Sequence, residues 1–276
     1  MHYDSHDFKK DADNKEACTL NTIKIIVATH KVYWMPKDDV YMPLQVGREG
    51  KQDLGFIGDN TGDNISLKNA NYCELTGLYW AWKNLQYDYI GLCHYRRYFC
   101  AGRHSNDIVS KKKDILQRAD YEELLQQYDV ILPKKRNYYI ETVRSQYEHA
   151  HNVRDLDEVK KIISERHTEY GNAFTNVMNS RSLHILNMFV MKKNLFDEYC
   201  DWLFDILFEL EKRIDISQYD AYQARVFGFL GERLFNVWLE KKKLKIKEVE
   251  VVNLEPVNWR SKIKNFILRK VRGTKL

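Results

Sequence analysis

The sequence predicts an α/β fold for a chain of 276 residues. Runs of β-branched and apolar residues, typical of strands, alternate along the chain with segments whose apolar residues recur at helical spacing. This alternation is characteristic of domains in which helices pack on a central sheet. The composition agrees with it, because 44% hydrophobic and 13% aromatic residues are enough to bury one substantial core.

Three strands are predicted in the first half of the chain. The β-branched run TIKIIVATH at residues 22–30 has the character of a strand that is covered on both faces. Residues 31–64 hold Pro36, Pro43 and five glycines, which predicts a long loop. The pattern becomes helical from Ser66, with an apolar stripe at i, i+3, i+4 and i+7 made by Leu75, Leu78, Tyr79 and Trp82. The next elements are predicted to be a strand at 87–95, a short helix at 121–128 and a short strand at 129–133.

The second half of the chain is more helical. Amphipathic spacing predicts helices at residues 155–166 and 195–214, and residues 225–241 are predicted to form another helix. Strands are predicted at 182–191 and at 244–254, and the second alternates at period two, as an edge strand does. No internal repeat or low-complexity linker interrupts the chain. The simplest partition is a polar arm at 1–21, one α/β domain at 22–255 and a basic amphipathic tail at 256–276.

Charge, cysteine content and hydropathy narrow the class of protein. The 44 basic residues are nearly balanced by 39 acidic ones, which argues against nucleic acid as the main partner. The five cysteines form no CxxC pair, so we expect reduced thiols, no disulfide and no zinc site. The N-terminal residues contain no apolar signal region, and no run approaches the roughly 18 apolar residues that cross a bilayer. We therefore expect a cytoplasmic protein.

The stretch YDYIGLCHYRRYF at residues 87–99 starts as a buried strand and ends in a cluster of positive charge. Thr29 and His30 end the first predicted strand, while His94, Arg96 and Arg97 end the next one. Ligands of α/β sheets bind where the carboxyl ends of strands meet, and guanidinium groups bind phosphate through paired hydrogen bonds. The pattern therefore predicts a diphosphate site. The alternative is that the arginines are surface charges and His94 is a satisfied core residue.

Two further clusters accompany this stretch. Around the predicted helix start, Asp63, Asn64 and Ser66 are capping residue types, and Lys68, Asn69 and Tyr72 follow in the first turns. A loop that leads into a helix start favours anion or sugar binding, and the alternative is an ordinary N-cap with a surface loop.

The stretch RVFGFLGERLF at residues 225–235 has two glycines three residues apart in a helical segment. Glycine destabilises a helix interior by about 1 kcal/mol relative to alanine, so close packing or a kink is expected there. Glu232 follows directly and is a candidate general base, because burial would raise its pKa. The alternative is a surface ion pair of Glu232 with Arg225 or Arg233. Asp220 provides a second candidate carboxylate.

Several segments in this order carry a family resemblance: IKIIVATHK, DNISLKNANYCELTGLYWAWKN, DYIGLCHYRRYF, LHILNMFVMKKNLFDEYCDWLF and RVFGFLGERL. Over roughly residues 22–255, the chain resembles a bacterial family of capsular and exopolysaccharide biosynthesis glycosyltransferases that is catalogued as a domain of unknown function. The resemblance implies a GT-A-like nucleotide-sugar fold with a mostly parallel central sheet flanked by helices and a more helical C-terminal part. It also implies transfer of a hexose from a UDP-sugar, with UDP-galactofuranose as the donor associated with the family.

The resemblance also implies roles for the clustered residues. The nucleotide sugar is expected to contact Thr29, His30, Asp59, Asn64, Lys68, Asn69 and Tyr72. His94, Arg96 and Arg97 are expected near the diphosphate, and Glu232 is expected to be the base, with Asp220 as its substitute. The expected acceptor is a lipid-linked glycan or oligosaccharide at the inner face of the membrane.

The chain departs from the commonest GT-A pattern at one point. Those enzymes place an Asp-x-Asp after the central strand to hold a divalent metal, and here His-Tyr-Arg-Arg stands in that place. Fixed cations can neutralise the charge that builds on a leaving diphosphate, so we expect transfer without a metal or another cofactor. For the reaction itself, we expect inversion at the anomeric carbon. Asp-x-Asp also occurs at 11–13 and 155–157, where we expect solvated or capping carboxylates.

Several interpretations of the tail and of the function stay open from the sequence. The tail at 256–276 interleaves basic and apolar residues, which fits an interfacial membrane anchor or a solvated basic segment. A non-catalytic subunit that binds nucleotide sugars or carbohydrates would keep the same cleft without turnover. RNA binding through interleaved aromatic and arginine side chains is a third class, which the balanced charge disfavours.

Overall fold

The computed structural model describes residues 22–102 and 107–255. The predicted polar arm at 1–21, with the Asp-x-Asp at 11–13, and the predicted basic tail at 256–276 lie outside the described residues. In the described part of the chain, no helix has the length and apolar character needed to cross a bilayer.

The described residues fold as a central sheet with helices on its faces. The main sheet consists of β1 Ile23–Thr29, β2 Tyr41–Gln45, β3 Ile57–Gly58, β4 Tyr89–His94, β5 Arg97–Cys100, β6 Val130–Pro133, β9 Phe189–Lys192 and β10 Ile246–Asn253. A separate two-stranded sheet joins β7 Arg136–Asn137 to β8 Ser182–Leu183. The α-helices are α1 Asn69–Tyr72, α2 Leu75–Asn84, α3 Ile108–Lys113, α4 Arg118–Gln127, α5 Val143–Ala150, α6 Val153–Arg166, α7 Gly171–Asn179, α8 Lys193–Arg213 and α9 Val226–Lys242.

The main sheet is mixed, so the expectation of a mostly parallel sheet is wrong. Its order is β3-β2-β1-β4-β5-β10-β6-β9, and β9 also pairs with β4. The pairs β1–β2, β1–β4, β2–β3 and β6–β10 are parallel. The pairs β4–β5, β5–β10, β4–β9 and β6–β9 are antiparallel. One cause is local: Tyr95 and Arg96 alone separate β4 from β5, and such a tight turn can join only antiparallel strands.

Three local predictions also fail. The loop predicted at 31–64 contains β2, although Pro43 of β2 has no N–H to donate. The backbone groups of Pro43 and Gln45 face the side of β2 away from β1, where the Gln45 carbonyl accepts a hydrogen bond from the Asp59 N–H. On that side β3 pairs only with Leu44 and Gln45, so the missing N–H of Pro43 breaks no pairing. The predicted edge strand is β10, which is internal and pairs with β5 and β6. The strand predicted at 182–191 is two short strands, β8 and β9.

Both faces of the sheet are buried, as the continuous apolar run of β1 predicts. Ile26 and Ala28 of β1 belong to the larger core cluster, which includes side chains of α2, α8 and α9. Ile25 and Val27 belong to the cluster on the opposite face, which includes side chains of α4. The carboxyl ends of β1 and β4 therefore open between two packed layers, where a loop-built site can form.

The helix predicted from Ser66 is divided at Cys73. A short 3-10 turn at Ser66–Lys68 leads into α1, and α2 starts after Cys73, whose φ is 54°. The close packing expected at the two glycines of α9 occurs at this break. A Cβ on Gly228 would lie 3.1 Å from the Cys73 Sγ, and a Cβ on Gly231 would lie 2.8 Å from Cδ1 of Leu75. Glycine at both positions lets α9 approach the α1–α2 junction.

Candidate active site

A cleft of about 790 Å³ opens where β1 and β4 end. Its walls come from the ends of these strands, the α1–α2 junction, Leu186 and the first turns of α9. The predicted site residues that line it are His30, Asn69, His94, Arg96, Arg97 and Glu232. The structure therefore brings residues of all three sequence clusters to one place.

The tight turn between β4 and β5 presents two arginines to the cleft in different states. The guanidinium of Arg96 pairs with Glu255 at 2.8 Å, and Lys31 pairs with the same carboxylate at 2.7 Å. These hydrogen bonds lower the pKa of Glu255 to about 2. The guanidinium of Arg97 makes no hydrogen bond or ion pair with any residue in 22–102 or 107–255. Burial, together with the nearby charge of Arg96, lowers the pKa of Arg97.

A half-buried guanidinium without a partner is costly unless a ligand neutralises it. Lys51 and Arg225 add two further positive charges to the cleft wall. Asn69 also lines the cleft, and Lys51 approaches its Oδ1 at 3.4 Å. With Arg97, these groups make the part of the cleft near the β4–β5 turn suited to an anion.

His94 is both a cleft residue and an internally bonded one. Its Nε2 lies 2.7 Å from the carbonyl oxygen of Leu186. Burial lowers the pKa of His94, and a neutral imidazole with its proton on Nε2 donates to this carbonyl. This bond fixes the ring at the end of β4. The alternative, a core histidine whose hydrogen bonds are satisfied, therefore holds for Nε2, while the residue also lines the cleft.

Glu232 lies in the second turn of α9, with 22% of its side chain exposed. Its Oε1 accepts a hydrogen bond of 2.8 Å from the Leu186 N–H, and its Oε2 lies 3.2 Å from a guanidinium nitrogen of Arg233. Burial raises the pKa of Glu232 above the usual range, although the charge of Arg233 opposes the shift. Because Arg233 is only 4% exposed, this pair is not the surface ion pair that the sequence left open.

A second carboxylate, Glu74, faces the cleft beside Glu232, and the sequence analysis did not single it out. It precedes α2 and accepts a hydrogen bond of 2.7 Å from the Asn187 side-chain amide. Leu186 and Asn187 both have left-handed backbone conformations, with φ of 83° and 49°. Non-glycine residues rarely adopt this region unless their surroundings impose it. The bonds from His94, Glu232 and Glu74 impose it here.

Other predicted site residues lie outside the cleft lining. Thr29 is buried and donates to the Lys31 carbonyl at 2.6 Å. Asp59 is buried and accepts bonds from the Gly47 and Arg48 N–H groups at 2.8 and 3.0 Å, which shapes the loop after β2. Asn64 accepts from the Ser66 N–H at 3.1 Å, which forms a local turn just before the 3-10 turn at Ser66–Lys68.

The remaining predicted residues also have structural partners. Lys68 pairs with Glu211 at 2.5 Å. Tyr72 is buried, and its ring stacks on Phe227 with a centroid distance of 4.4 Å. Asp220 accepts bonds from the N–H groups of Tyr222 and Gln223 at 2.9 and 2.8 Å, so it stabilises the turn before α9.

The Asp-x-Asp at 155–157 lies in α6, outside the cleft lining. Asp155 is 3% exposed and accepts a hydrogen bond of 2.8 Å from the Tyr219 hydroxyl, so the expectation of a solvated or capping carboxylate is wrong for it. Asp157 pairs with Arg144 at 2.7 Å. In the described part of the chain, no group of three or more His, Cys, Asp or Glu residues is arranged to hold a metal ion.

Comparison with known proteins shows the family to which the chain belongs. A family model described as Domain of unknown function (DUF4422) matches residues 24–243. The chain belongs to the DUF4422 family. This confirms the resemblance to a family of unknown-function domains that the sequence motifs indicate. The match includes the two arginines of the β4–β5 turn and Glu232 of α9.

One solved structure extends the comparison of this DUF4422 chain. It is described as the apo structure of WbbM, a bifunctional glycosyltransferase, and it superposes with a TM-score of 0.80 at 32% sequence identity. The match covers 86% of this chain and 46% of that chain, so the DUF4422 chain spans less than half of the WbbM length. No curated protein sequence matches the chain significantly.

Proposed function

We propose that this DUF4422 chain is a glycosyltransferase that moves a hexose from a UDP-sugar to a glycan acceptor. The observation that carries the proposal is the Arg97 guanidinium, which faces the cleft without a partner among the described residues. The cleft volume of about 790 Å³ is within the range of small-molecule sites. The fold similarity to a bifunctional glycosyltransferase supports the same reaction class.

The diphosphate of the donor is assigned to the strand-end wall of the cleft. Arg97 would bind its oxygens through parallel hydrogen bonds, and the β4–β5 turn would hold Arg96 alongside it. When the bond between the anomeric carbon and the β-phosphate oxygen breaks, UDP leaves with the electron pair. Fixed positive charge at this point stabilises the departing diphosphate. This arrangement supports transfer without a divalent metal.

The acceptor is activated on the opposite wall. Its hydroxyl oxygen forms the new bond to the anomeric carbon, and the carboxylate of Glu232 takes the hydroxyl proton. Attack from the face opposite to UDP inverts the configuration at that carbon. Asp220 is less suitable as the base, because its carboxylate caps the turn before α9 and lies outside the cleft lining.

The finer assignments follow the family resemblance. We propose galactofuranose as the sugar, capsular or exopolysaccharide synthesis as the setting, and a lipid-linked glycan or oligosaccharide as the acceptor. A protein acting on such an acceptor would work at the inner face of the membrane. The basic tail at 256–276, outside the described residues, is proposed as the contact with that surface.

The proposal is tested by measuring UDP release from UDP-galactofuranose, UDP-galactose, UDP-glucose and UDP-N-acetylglucosamine, with and without octyl glycoside acceptors. A transferase releases UDP faster when an acceptor is present, and a glycoside product appears in equal amount. Tight UDP-sugar binding without release from any donor would instead identify a non-catalytic binding subunit, the alternative that keeps the same cleft. Neither binding nor release would contradict both functions.

A further inference from the structure

The segment KKRNYYI at residues 134–140 presents two adjacent apolar side chains to solvent. Tyr139 is 76% exposed and Ile140 is 80% exposed, and neither belongs to either of the two core clusters. A single exposed apolar side chain is common on protein surfaces, whereas adjacent ones that are rimmed by polar groups are typical of a contact surface. Residues 134–140 are referred to as the tip.

The backbone of the tip is held in a defined turn. Tyr139 has a left-handed conformation with φ of 60°, which a bulky residue adopts only where its surroundings impose it. Its N–H donates to Oδ1 of Asn137 at 2.7 Å, and its carbonyl accepts from the Arg181 guanidinium at 3.3 Å. The Ile140 N–H donates to the Tyr138 carbonyl at 2.7 Å. These bonds fix the turn, so the exposure of Tyr139 and Ile140 is a built feature of the surface.

Positive charge surrounds the two apolar side chains. Three exposed cations of the tip and its neighbouring segment form no ion pair with an acidic residue in the described part of the chain: Lys135, Arg136 and Arg181. The acidic groups beside the tip are themselves bound, in the pairs Glu250–Lys134 at 2.6 Å, Glu141–His149 at 2.7 Å and Glu240–Lys243 at 2.7 Å. The tip therefore combines a small apolar surface with a positively charged rim.

This combination matches the surface of an anionic bilayer. Tyrosine and aliphatic side chains enter the interfacial region of a membrane, and lysine and arginine are attracted to the phosphates of anionic lipids. A two-fold contact between copies of the chain would bury the same apolar pair, but it would bring the cations of both copies together. Charge complementarity thus favours a lipid surface over a second copy.

We propose that the tip is a membrane contact, in which Tyr139 and Ile140 enter the headgroup region of an anionic bilayer. Lys135, Arg136 and Arg181 bind lipid phosphates around them. The tip is a second contact, separate from the basic tail at 256–276, because it lies in the α/β domain itself.

The tip is joined through α5 to the residue assigned as the base. The helix starts three residues after Ile140, and its Gln146 accepts a hydrogen bond of 2.8 Å from Arg233, which pairs with Glu232. Burial raises the pKa of Tyr138, and the charges of Arg233 and Glu232 also act on it. A bilayer at the tip would hold a lipid-linked acceptor near Glu232. This consequence rests on the proposed function, whereas the membrane contact does not.

The test is cosedimentation of the whole chain with vesicles of phosphatidylcholine, alone and with added phosphatidylglycerol. The wild-type chain should bind the anionic vesicles, and binding should weaken as salt is added. Tyr139→Asn combined with Ile140→Ser should weaken this binding about tenfold. Asparagine is chosen because it tolerates a left-handed backbone. Lys135→Gln combined with Arg136→Gln should weaken it about ten- to thirtyfold.

The matched control is Leu67→Ser, because Leu67 is 82% exposed and its neighbour Lys68 is paired with Glu211. It should bind vesicles as the wild-type chain does. A second measurement reports on position: vesicles that contain brominated lipid should quench the added fluorescence of Tyr139→Trp but not that of Leu67→Trp. This readout separates the tip from any contact that the tail makes.

Several outcomes would overturn the membrane contact. These are no binding of the wild-type chain to anionic vesicles, equal binding by the Tyr139→Asn, Ile140→Ser variant and Leu67→Ser, or equal quenching of the two tryptophan variants. A dimer in sedimentation without vesicles that is lost in the tip variants would identify a second copy as the partner instead.

The proposed function is tested separately from the tip. UDP release with octyl glycoside acceptors, measured without vesicles, should be the same for the wild-type chain and the tip variants. Its absence would contradict the transferase and leave vesicle binding by the tip unaffected. Failure of vesicle binding would contradict the membrane contact and leave UDP release unaffected.

Discussion

His94 and Glu232 bind the same residue from two sides. The imidazole of His94 bonds to the Leu186 carbonyl at 2.7 Å, and the carboxylate of Glu232 accepts from the Leu186 N–H at 2.8 Å. The end of β4 and the second turn of α9 are thereby tied through one left-handed residue. Because these two elements carry the cations and the carboxylate, the bonds set the relative position of the two walls of the cleft.

The assignment of Glu232 as the base predicts a specific kinetic effect of Glu232→Gln. Glutamine can still accept the bond from Leu186 but cannot take a proton, so turnover should fall about 10²- to 10⁴-fold. UDP affinity should not fall, because the substitution removes a negative charge that acts on Arg97 and leaves Arg97 itself in place. Steady-state UDP release and calorimetric titration measure the two quantities. Parallel losses in both would indicate a structural role, and Glu240→Gln at the far end of α9 is the matched control.

The environment of Glu232 also predicts the pH dependence of turnover. Burial raises the pKa of Glu232, with Glu74 adding to the shift and Arg233 and Arg97 opposing it. A base must be ionised to act, so kcat/KM should fall as the pH drops through a value above the usual pKa of about 4.3 for glutamate. A limb at or below that usual value in the wild-type chain would contradict the assignment.

The loss of activity at low pH can be distinguished from unfolding of the chain. A carboxyl whose pKa is raised in the folded state binds its proton more tightly when folded, so Glu232 makes its smallest stabilising contribution above that pKa. Its contribution to stability should grow as the pH falls through the raised pKa. Circular dichroism across the same pH range should therefore show a folded chain where turnover is being lost.

Fixed cations in place of a metal predict that turnover persists after treatment with EDTA. Arg96 and Arg97 lie where the proposal puts the diphosphate, and their charge does not depend on added ions. The measurement is UDP release by EDTA-treated protein after gel filtration, compared with protein supplied with Mn²⁺ or Mg²⁺. Complete loss of turnover that manganese restores would refute metal independence.

The central strand predicts a strong stability effect at Gly91. A Cβ at this position of β4 would lie 2.9 Å from the Phe189 carbonyl oxygen and 2.9 Å from Cγ2 of Val190. Gly91→Ala should therefore lower the free energy of unfolding by about 1–3 kcal/mol, as overpacked cores do. Gly171→Ala is the matched control, because nothing lies within 4 Å of its added Cβ. Thermal unfolding with equal melting temperatures for the two variants would contradict the packing of β4 against β9.

Local pattern predicted the elements that are rich in apolar residues over a long stretch, such as β1, α8 and α9. It did not predict α5, whose segment VRSQYEHA has only eight residues and buries only Val143 and Tyr147, which are too few apolar positions to stand out in the sequence. It also missed β2, because a proline argues against a strand unless its missing N–H is known to face a side of the strand that is not paired there. The direction of β5 and β9 depends on pairing between distant segments, which periodicity does not encode.

Residues of the candidate site could be predicted where charged side chains follow the end of a recognisable strand. His94, Arg96 and Arg97 met that condition, and all three line the cleft. Glu74 gave no such signal, because it precedes an amphipathic helix like many surface carboxylates. Its meeting with Asn187 joins segments 113 residues apart in the chain. Such contacts arise from tertiary packing, so the sequence alone could not distinguish Glu74 from its neighbours.

The central claim is that Arg97 binds the diphosphate of the donor, and calorimetric titration of UDP in the presence of EDTA tests it most directly. We expect the wild-type chain to bind UDP and Arg97→Met to bind it about 10- to 100-fold more weakly, because a charge-assisted contact is lost. Arg118→Met removes an equal charge outside the cleft lining, where Arg118 pairs with Asp39, and should bind as the wild type does. Equal UDP affinity for the wild-type chain and Arg97→Met would contradict the claim.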